Sequence, residues 1–426
     1  MFRATIAALF LALFLTAPSA AQQPAGEPVK VFLDCNGFHC DQDYYRTEIA
    51  WVGYVRDRQD ADVHVLITRQ QTGSGGGEHT VAFLGQRRFQ GVNQTLRHTA
   101  GPAETADVVR RGLAEVIKVG LLRYASETPA GARLRVSLAP AAEGSARAAE
   151  ARDPWDHWTF RVGVRGFFNG ESSYRSRDLN SSISANRVTA QWKTRLSVNA
   201  NNSRSEFDLT DTTSFVSQRE SYSSSALVVR SLGPNWSAGA RASALRSTYN
   251  NYDRLLRAGP AVEFNVFPYA ESNRRQLTFQ YALSGISADY DERTRLGKLA
   301  ETRAEHSLTT ALDLKQRWGS VGLSAEGAHL LDDPARNRLV LFGNADVRLF
   351  KGFTLNFYAS GSRVRDQLSI RDRPGTPEEI LTREIEQLTA FRYFASVGLS
   401  YTFGSIYNSV VNPRFGGTSG GVVFFN

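Results

Sequence analysis

Residues 338–405 alternate between apolar and polar side chains over three long runs. Leu339 and Val347 belong to the apolar positions of the first run, and Phe391 and Val397 to those of the last. A period of two sustained over about ten residues describes a β-strand with one apolar and one polar face. Strands of that length with aromatic residues at their ends are typical of transmembrane β-barrels. We therefore predict a barrel rather than a soluble β-protein.

The same alternation recurs from residue 157 onward and predicts about 12 strands, an even number, as bacterial barrels of one chain prefer. The predicted strands are 157–168, 173–188, 191–207, 214–231, 235–247, 252–267, 274–289, 301–318, 320–330, 337–350, 353–368 and 391–405. The predicted fold class is an all-β transmembrane antiparallel barrel over residues 157–405. A small α/β (βαββα) domain precedes it.

Connections and aromatic residues distinguish the two predicted rims. Short connections, such as residues 233–234 and 351–352, alternate with longer ones, as periplasmic turns alternate with outer loops in such barrels. Trp and Tyr favour the membrane interface, and we predict a row of interface aromatics beside the short turns: Trp158, Trp192, Trp236, Trp318, Phe353 and Phe403. The short-turn rim is therefore predicted to face the periplasm, and an even strand count brings both ends of the barrel to that side.

Charged residues on the strands share one parity. A cationic side chain facing lipid at the membrane midplane costs roughly 2–4 kcal/mol, so we predict that these charges face the lumen. They are Arg161, Arg165, Lys193, Arg195, Arg241, Glu263, Asp313, Lys315, Arg317, Glu326, Asp346 and Arg348. Two interpretations remain open: the charges pair across a narrow lumen as a polar core, or the basic excess lines a path for anionic solutes.

The N-terminal part predicts export followed by a small domain. Residues 1–21 carry a basic residue, an apolar core and small residues at the end, which is typical of a signal peptide; the apolar run is short for a membrane anchor. Residues 29–138 predict a periplasmic α/β module, in which a Gly-rich stretch at 73–77 joins two strands as a hairpin turn rather than a phosphate loop. Residues 139–156 predict a linker, and residues 406–426 a periplasmic C-terminal tail.

Within the module, the patterns predict strands at 29–33, 61–68 and 79–84, helices at 43–56 and 105–124, and a further strand at 133–138. The only two cysteines, Cys35 and Cys40, are predicted to form a local disulfide in an oxidising compartment. The alternative, a metal site that also uses His39, lacks a fourth ligand nearby.

The charge distribution and the placement of the histidines argue against two classes of function. The net charge of +8 arises from scattered rather than clustered arginines, so we expect no nucleic-acid partner. An outer-membrane hydrolase needs a His placed against Ser or Asp, but parity places both His306 and His329 on the lipid-facing side. We therefore predict no catalytic residues, no cofactor and no metal.

The last long loop contains a helix start signal. Thr376 fits the N-cap position, Pro377 the first helical position and Glu379 the acid of a capping box. Apolar residues follow at helical spacing. Two placements are open: the helix folds into the mouth as a plug, or it lies on the surface.

Four segments, at residues 262–281, 317–320, 349–369 and 397–415, resemble an uncharacterised family of bacterial outer-membrane β-barrel proteins with an N-terminal periplasmic α/β module. The resemblance implies fold and location and brings no activity or site residues. One departure is that about twenty residues follow the last predicted strand, whereas many barrels end on its aromatic residue.

The sequence therefore predicts a Gram-negative outer-membrane barrel with a tethered periplasmic binding or interaction domain and no enzymatic activity. The expected partners are outer-membrane lipid and a periplasmic protein or envelope component. Two alternatives are a porin-like narrow pore for small anionic solutes and an outer-membrane hydrolase of the lipase or protease type.

Overall fold

A computed structural model describes residues 28–35, 40–73, 75–133, 135, 153–210 and 213–411. The predicted signal peptide, most of the predicted linker and the tail beyond residue 411 lie outside the described residues. No helix within the described ranges is long and apolar enough to cross a membrane.

The first part of the chain folds into a five-stranded sheet with two helices, here called the module. Its strands are β1 (Lys30–Asp34), β2 (Gly53–Tyr54), β3 (Val63–Gln71), β4 (Gly77–Gly85) and β5 (Asn93–Ala100), and its helices are α1 (Gln42–Glu48) and α2 (Ala106–Ser126). The sheet order is β2-β1-β3-β4-β5, with β1 parallel to both neighbours and β3, β4 and β5 antiparallel. A small α/β domain is confirmed, and the predicted hairpin at residues 73–77 joins β3 to β4.

The order of elements within the module differs from the predicted βαββα. The predicted helix at 43–56 ends at Glu48, because residues 53–54 pair with β1. The helical spacing of the apolar residues in this segment reflects a shared core and not a continuous helix. Each of Tyr45, Ile49 and Val52 enters that core and is at most 4% exposed. The sequence did not predict β5, because most residues of this edge strand are polar and it lacks a clear apolar–polar alternation. The predicted strand at 133–138 lies largely outside the described residues.

Gly120 lies on α2 where the helix crosses β4. A Cβ built on Gly120 lies 1.9 Å from Cζ of Phe83, a fully buried ring. Gly120→Ala is therefore expected to lower the free energy of unfolding of the module by roughly 1–3 kcal/mol through overpacking. Hydrogen exchange of the α2 amides in urea, measured on the full chain, checks this. Gly101→Ala is the matched control, because its Cβ meets nothing nearer than 3.5 Å; an equal effect of both variants contradicts the prediction.

The second part forms a twelve-stranded antiparallel sheet, here called the barrel, which confirms the predicted strand number. Its strands are β6 (Trp158–Gly170), β7 (Tyr174–Val188), β8 (Trp192–Thr210), β9 (Thr213–Ser231), β10 (Trp236–Ser247), β11 (Tyr252–Asn265), β12 (Arg275–Tyr290), β13 (Ala300–Gln316), β14 (Gly319–Leu330), β15 (Asn337–Phe350), β16 (Phe353–Val364) and β17 (Phe391–Tyr401). Each strand pairs with its sequence neighbours, and within the described residues no hydrogen-bonded register joins β6 to β17, so these two are the edge strands.

The register gives the barrel an inner and an outer face of opposite polarity. On β12 and β13, the inner face carries Ser284, Glu305 and Ser307, which are 2–5% exposed. The outer face carries Leu283 and Leu308, which are 41% and 49% exposed. Inner side chains also meet across intervening strands: Arg241 on β10 donates to Ser307 on β13 at 3.2 Å, which requires strong curvature. The polarity is the reverse of that of a soluble protein, in which apolar side chains face inward.

The module docks at one end of the barrel, here called the near rim. The near rim consists of the connections at residues 189–191, 232–235, 266–274, 317–318 and 351–352. The opposite end, the far rim, carries the connection of residues 365–390 and the short helix α3 (Pro377–Leu381). The predicted alternation of short and long connections holds only in part, because the far rim also carries the three-residue connection at 171–173 between β6 and β7.

Candidate functional site

The strongest contact between module and barrel is a buried ion pair at the near rim. The guanidinium of Arg348, on the inner face at the end of β15, donates to both carboxylate oxygens of Asp34 at 2.9 and 2.7 Å. Asp34 ends β1 and is only 4% exposed. The carboxylate also accepts a hydrogen bond at 2.9 Å from Nε2 of His64, which is fully buried on β3. Two-point pairing of Arg with a carboxylate fixes geometry as well as charge.

The surroundings fix the protonation of this cluster. Burial raises the pKa of Asp34, but the hydrogen bond from His64 and the charge of Arg348 outweigh it, and the net pKa is lowered. Burial lowers the pKa of His64 more than its bond to Asp34 raises it. His64 is therefore neutral and donates from Nε2, while its Nδ1 lacks a hydrogen-bond partner among the described residues. The cluster thus contains one negative carboxylate, that of Asp34, paired with one positive guanidinium, that of Arg348.

Further contacts spread the module over the near rim. Lys351 pairs with Asp60 at 2.7 Å, and the backbone N–H of Gly352 donates to Asp57 at 3.0 Å. On the far side of the module sheet, Gln70 donates to Ser272 at 3.2 Å. The module therefore bridges the β11–β12 and β15–β16 connections and lies across the opening between them.

The segment after β17 adds an antiparallel bridge between the two parts of the chain. Val55 pairs with Tyr407, and the N–H of Arg56 donates to the carbonyl of Ile406 at 2.9 Å. The N–H of Tyr54 donates to Oγ of Ser409 at 2.8 Å. The beginning of the predicted tail is thus bound to the edge of the module sheet.

A second charged cluster occupies the lumen towards the far rim. Arg338 contacts Glu305 at 2.5 Å, Glu326 at 2.9 Å and Asp366 at 2.9 Å. Glu305 also lies 3.4 Å from Arg257. Because Asp366 belongs to the far-rim loop, this cluster attaches the loop to three strands of the barrel.

The far-rim loop enters the mouth of the barrel ahead of its helix. Leu368 is buried against the inner-face residues Ile286 and Leu330. The Arg371 side chain, 8% exposed, pairs with Glu292 at 2.8 Å and donates to the carbonyl of Thr248 at 2.5 Å. Residues 368–371 therefore plug the far mouth.

The helix of this loop begins as predicted and then stops. Thr376 and Glu379 form the complete capping box and Pro377 begins the helix, but α3 ends at Leu381. Leu381 is 83% exposed. The two predicted placements are thus divided between neighbouring segments: the residues before the helix plug the mouth, and the helix lies on the surface.

The register places the predicted charges as follows. The inner face carries Arg161, Arg165, Lys193, Arg195, Arg241, Glu263, Asp313, Lys315, Glu326, Asp346 and Arg348. Arg317 is a correction: β13 ends at Gln316, so Arg317 lies in the turn at the near rim and not in the lumen. Glu305, Arg338 and Asp366 were not predicted as site residues, although Glu305 and Arg338 obey the same parity rule.

The predicted interface aromatics surround the near rim. Trp158, Trp192 and Trp236 begin β6, β8 and β10, and Trp318 occupies the β13–β14 turn. Phe353 begins β16, and Phe403 follows β17, where it stacks on Tyr401 with ring centroids 5.7 Å apart. The predicted disulfide joins Cys35 to Cys40 beside the docking cluster.

His306 and His329 lie side by side on the outer face. They are opposite each other in the β13–β14 register, and Nε2 of each meets Nε2 of the other. Tyr281 hydrogen-bonds Nδ1 of His306 at 2.9 Å, and Nδ1 of His329 donates to the carbonyl of Leu330 at 2.8 Å. The contacts of the pair among the described residues include no Ser or Asp side chain. No group of three metal-ligating side chains occurs within the described ranges.

Known proteins show only weak similarity to this chain. No family model matches the sequence, and no curated protein matches it. Two similar solved structures are a NanC porin and the translocator domain of the autotransporter NalP from Neisseria meningitidis. The porin is 7% identical with a TM-score of 0.28, over 57% of this chain and 100% of the porin chain. The translocator domain is 15% identical with a TM-score of 0.27, over 58% of this chain and 86% of that chain. At these TM-scores the likenesses add no support, and the fold rests on the strand ladder itself.

Proposed function

We propose that this protein is an outer-membrane barrel closed at both rims, with its module docked on the periplasmic opening as a non-enzymatic interaction domain. The observation that supports this most directly is the reversed polarity of the barrel. Its outer face presents apolar side chains such as Leu323, Leu341 and Leu399, which are 46%, 48% and 64% exposed. Lipid is the solvent in which such a face is stable while charged residues line the interior.

Closure at both ends distinguishes the proposal from a pore. The module covers the near rim through the Asp34–Arg348 pair, and Leu368 and Arg371 fill the far mouth. We assign the rim with the module to the periplasm, because short turns face that side in bacterial barrels and an even strand count brings both ends of the barrel to the same rim. The module then offers its solvent-exposed surface to a periplasmic protein or envelope component.

The non-enzymatic assignment is supported by the satisfied state of the two outer-face histidines. Tyr281 donates to His306, His306 donates to His329, and His329 donates to the carbonyl of Leu330 in one consistent set of tautomers. This chain of bonds leaves no ring nitrogen free to act as a general base. Loss of a lipase or protease activity in His306→Ala or His329→Ala supports the hydrolase alternative and overturns this assignment.

Conductance in planar bilayers tests the closure. The full chain is expected to show no stable channel steps, and deletion of residues 29–138 alone or 368–390 alone is expected to leave it closed. Deletion of both is expected to produce steady channels, because each end then lacks its cover. Open channels in the full chain contradict closure and favour the anion-pore alternative, which ion selectivity then tests. Resistance of the barrel to carbonate extraction from membranes checks the location separately.

A further inference from the structure

A cleft of about 280 Å³ lies between the module and the near rim, and arginines line it. We call it the arginine cleft; its charged lining is Arg46, Arg56, Arg58 and Arg348, with Asp57. Three of these guanidinium groups have carboxylate partners: Asp43 for Arg46, Asp57 for Arg56 and Asp34 for Arg348.

Arg58 differs from the other three. Its guanidinium takes part in no hydrogen bond or ion pair with the described residues. Burial and the nearby charges of Arg348 and Arg317 lower the pKa of Arg58, and Asp34 opposes them only from a distance. The cleft therefore holds more positive charge than its carboxylates balance, which favours an anion.

The outer wall of the cleft is aromatic and faces lipid. A bulge between Arg348 and Phe350 turns Phe350 onto the outer face, where it stacks on Phe353 with centroids 4.7 Å apart. Tyr401 and Phe403 continue this row. Cationic groups and an aromatic row thus meet at the depth where phospholipid headgroups lie.

We propose that the arginine cleft binds a phosphate group, supplied by a phospholipid of the inner leaflet whose acyl chains lie along Phe350, Phe353 and Tyr401. Arg58 provides the free guanidinium, and arginine suits phosphate because its planar donors match two oxygens at once. The lipid source rests on the proposed membrane location, whereas the phosphate chemistry does not. The bound headgroup then holds module and rim together from the lipid side.

The experiment compares the full-length protein with Arg58→Gln, Arg58→Lys and Phe353→Ala. Each is reconstituted with phosphatidylglycerol vesicles, re-extracted, and examined by native mass spectrometry for retained lipid. Arg58→Gln is expected to retain at least tenfold less lipid, and Arg58→Lys an intermediate amount. Arg123→Gln is the matched control, because this exposed arginine on α2 lies away from the cleft. Unchanged crosslinking between cysteines placed at Gln70 and Ser272 shows that docking is intact.

Inorganic phosphate, titrated calorimetrically, separates the two sources of the ligand. The proposal is supported if Arg58→Gln abolishes phosphate binding, Phe353→Ala leaves phosphate binding intact, and both variants reduce lipid retention. Phosphate binding without lipid retention overturns the lipid source. Equal lipid and phosphate binding by Arg58→Gln and the full chain overturns the site. If the protein does not lie in the membrane, carbonate extraction shows this independently. The phosphate titration still tests whether the cleft binds phosphate.

Discussion

Arg338→Gln is expected to lower the free energy of unfolding of the barrel by roughly 3–5 kcal/mol, the usual cost of removing one partner of a buried ion pair. Arg338 is the shared cation of Glu305, Glu326 and Asp366. Glu305 is only 2% exposed, so its carboxylate cannot regain water when Arg338 is removed. Urea titration of the full chain in detergent micelles, followed by tryptophan fluorescence, measures the loss.

Arg336→Gln is the matched control for this prediction. Arg336 lies two residues away and meets Asp333 at 3.6 Å in a pair whose side chains are 31% and 46% exposed. Such surface pairs contribute about 0–1 kcal/mol. The double variant Arg338→Gln with Glu305→Gln should recover part of the loss, because the buried carboxylate that only the more distant Arg257, at 3.4 Å, still pairs with is then gone. Equal unfolding midpoints for Arg338→Gln and Arg336→Gln show that the cluster does not hold the barrel together.

The strands could be predicted from the sequence because a local rule determines them. A residue on a barrel strand faces either the lumen or lipid, and this choice alternates along the chain. The rule gave the strand number and placed Arg241, Glu263 and Asp346 on the inner face. It failed for Arg317, because parity has no meaning once a strand ends and a turn begins.

The docking of the module could not be predicted in this way. Asp34 and Arg348 are 314 residues apart, and neither belongs to a motif. Alternation shows that Arg348 faces inward but not that β1 of another domain ends against it. The helix prediction was wrong at residues 49–56 for a related reason. Apolar residues that share one core have the same spacing whether the backbone is a helix or a turn leading into a strand.

Arg348→Gln is expected to release the module from the near rim. The variant leaves the carboxylate of Asp34 buried beside neutral His64 with no cation bonded to it. By the same reasoning as for Arg338, the docking equilibrium is expected to fall on the order of 10²–10³-fold. Cysteines at Gln70 and Ser272 report docking, because these side chains meet at 3.2 Å. A short bis-maleimide crosslinks them and does not react with the native disulfide.

Lys351→Gln is the control for release of the module. The Lys351–Asp60 pair bridges the same two parts of the chain, but the lysine side chain is 49% exposed, so a small effect is expected. If both variants lower the crosslinking yield equally, the buried pair has no special role in docking. Asp34→Asn should release the module as Arg348→Gln does, and the double variant should add little, because the two residues act as one unit.

Docking is also expected to weaken as the pH falls, since the lowered pKa values of His64 and Asp34 act in the same direction. Docking brings the charges of Arg348 and Arg317 close to His64 and lowers its pKa, so docked His64 binds a proton less readily than released His64 and its contribution is lost as the pH falls. The contribution of Asp34 is present above the ordinary value of 3.8 and is lost below it. The charged groups Arg348, Arg317 and Arg58 also face the cluster. The crosslinking yield should therefore decline in two steps between pH 8 and pH 3, and His64→Gln should lack the first step. A yield independent of pH in the full chain means that the two groups have the same surroundings in the docked and released states.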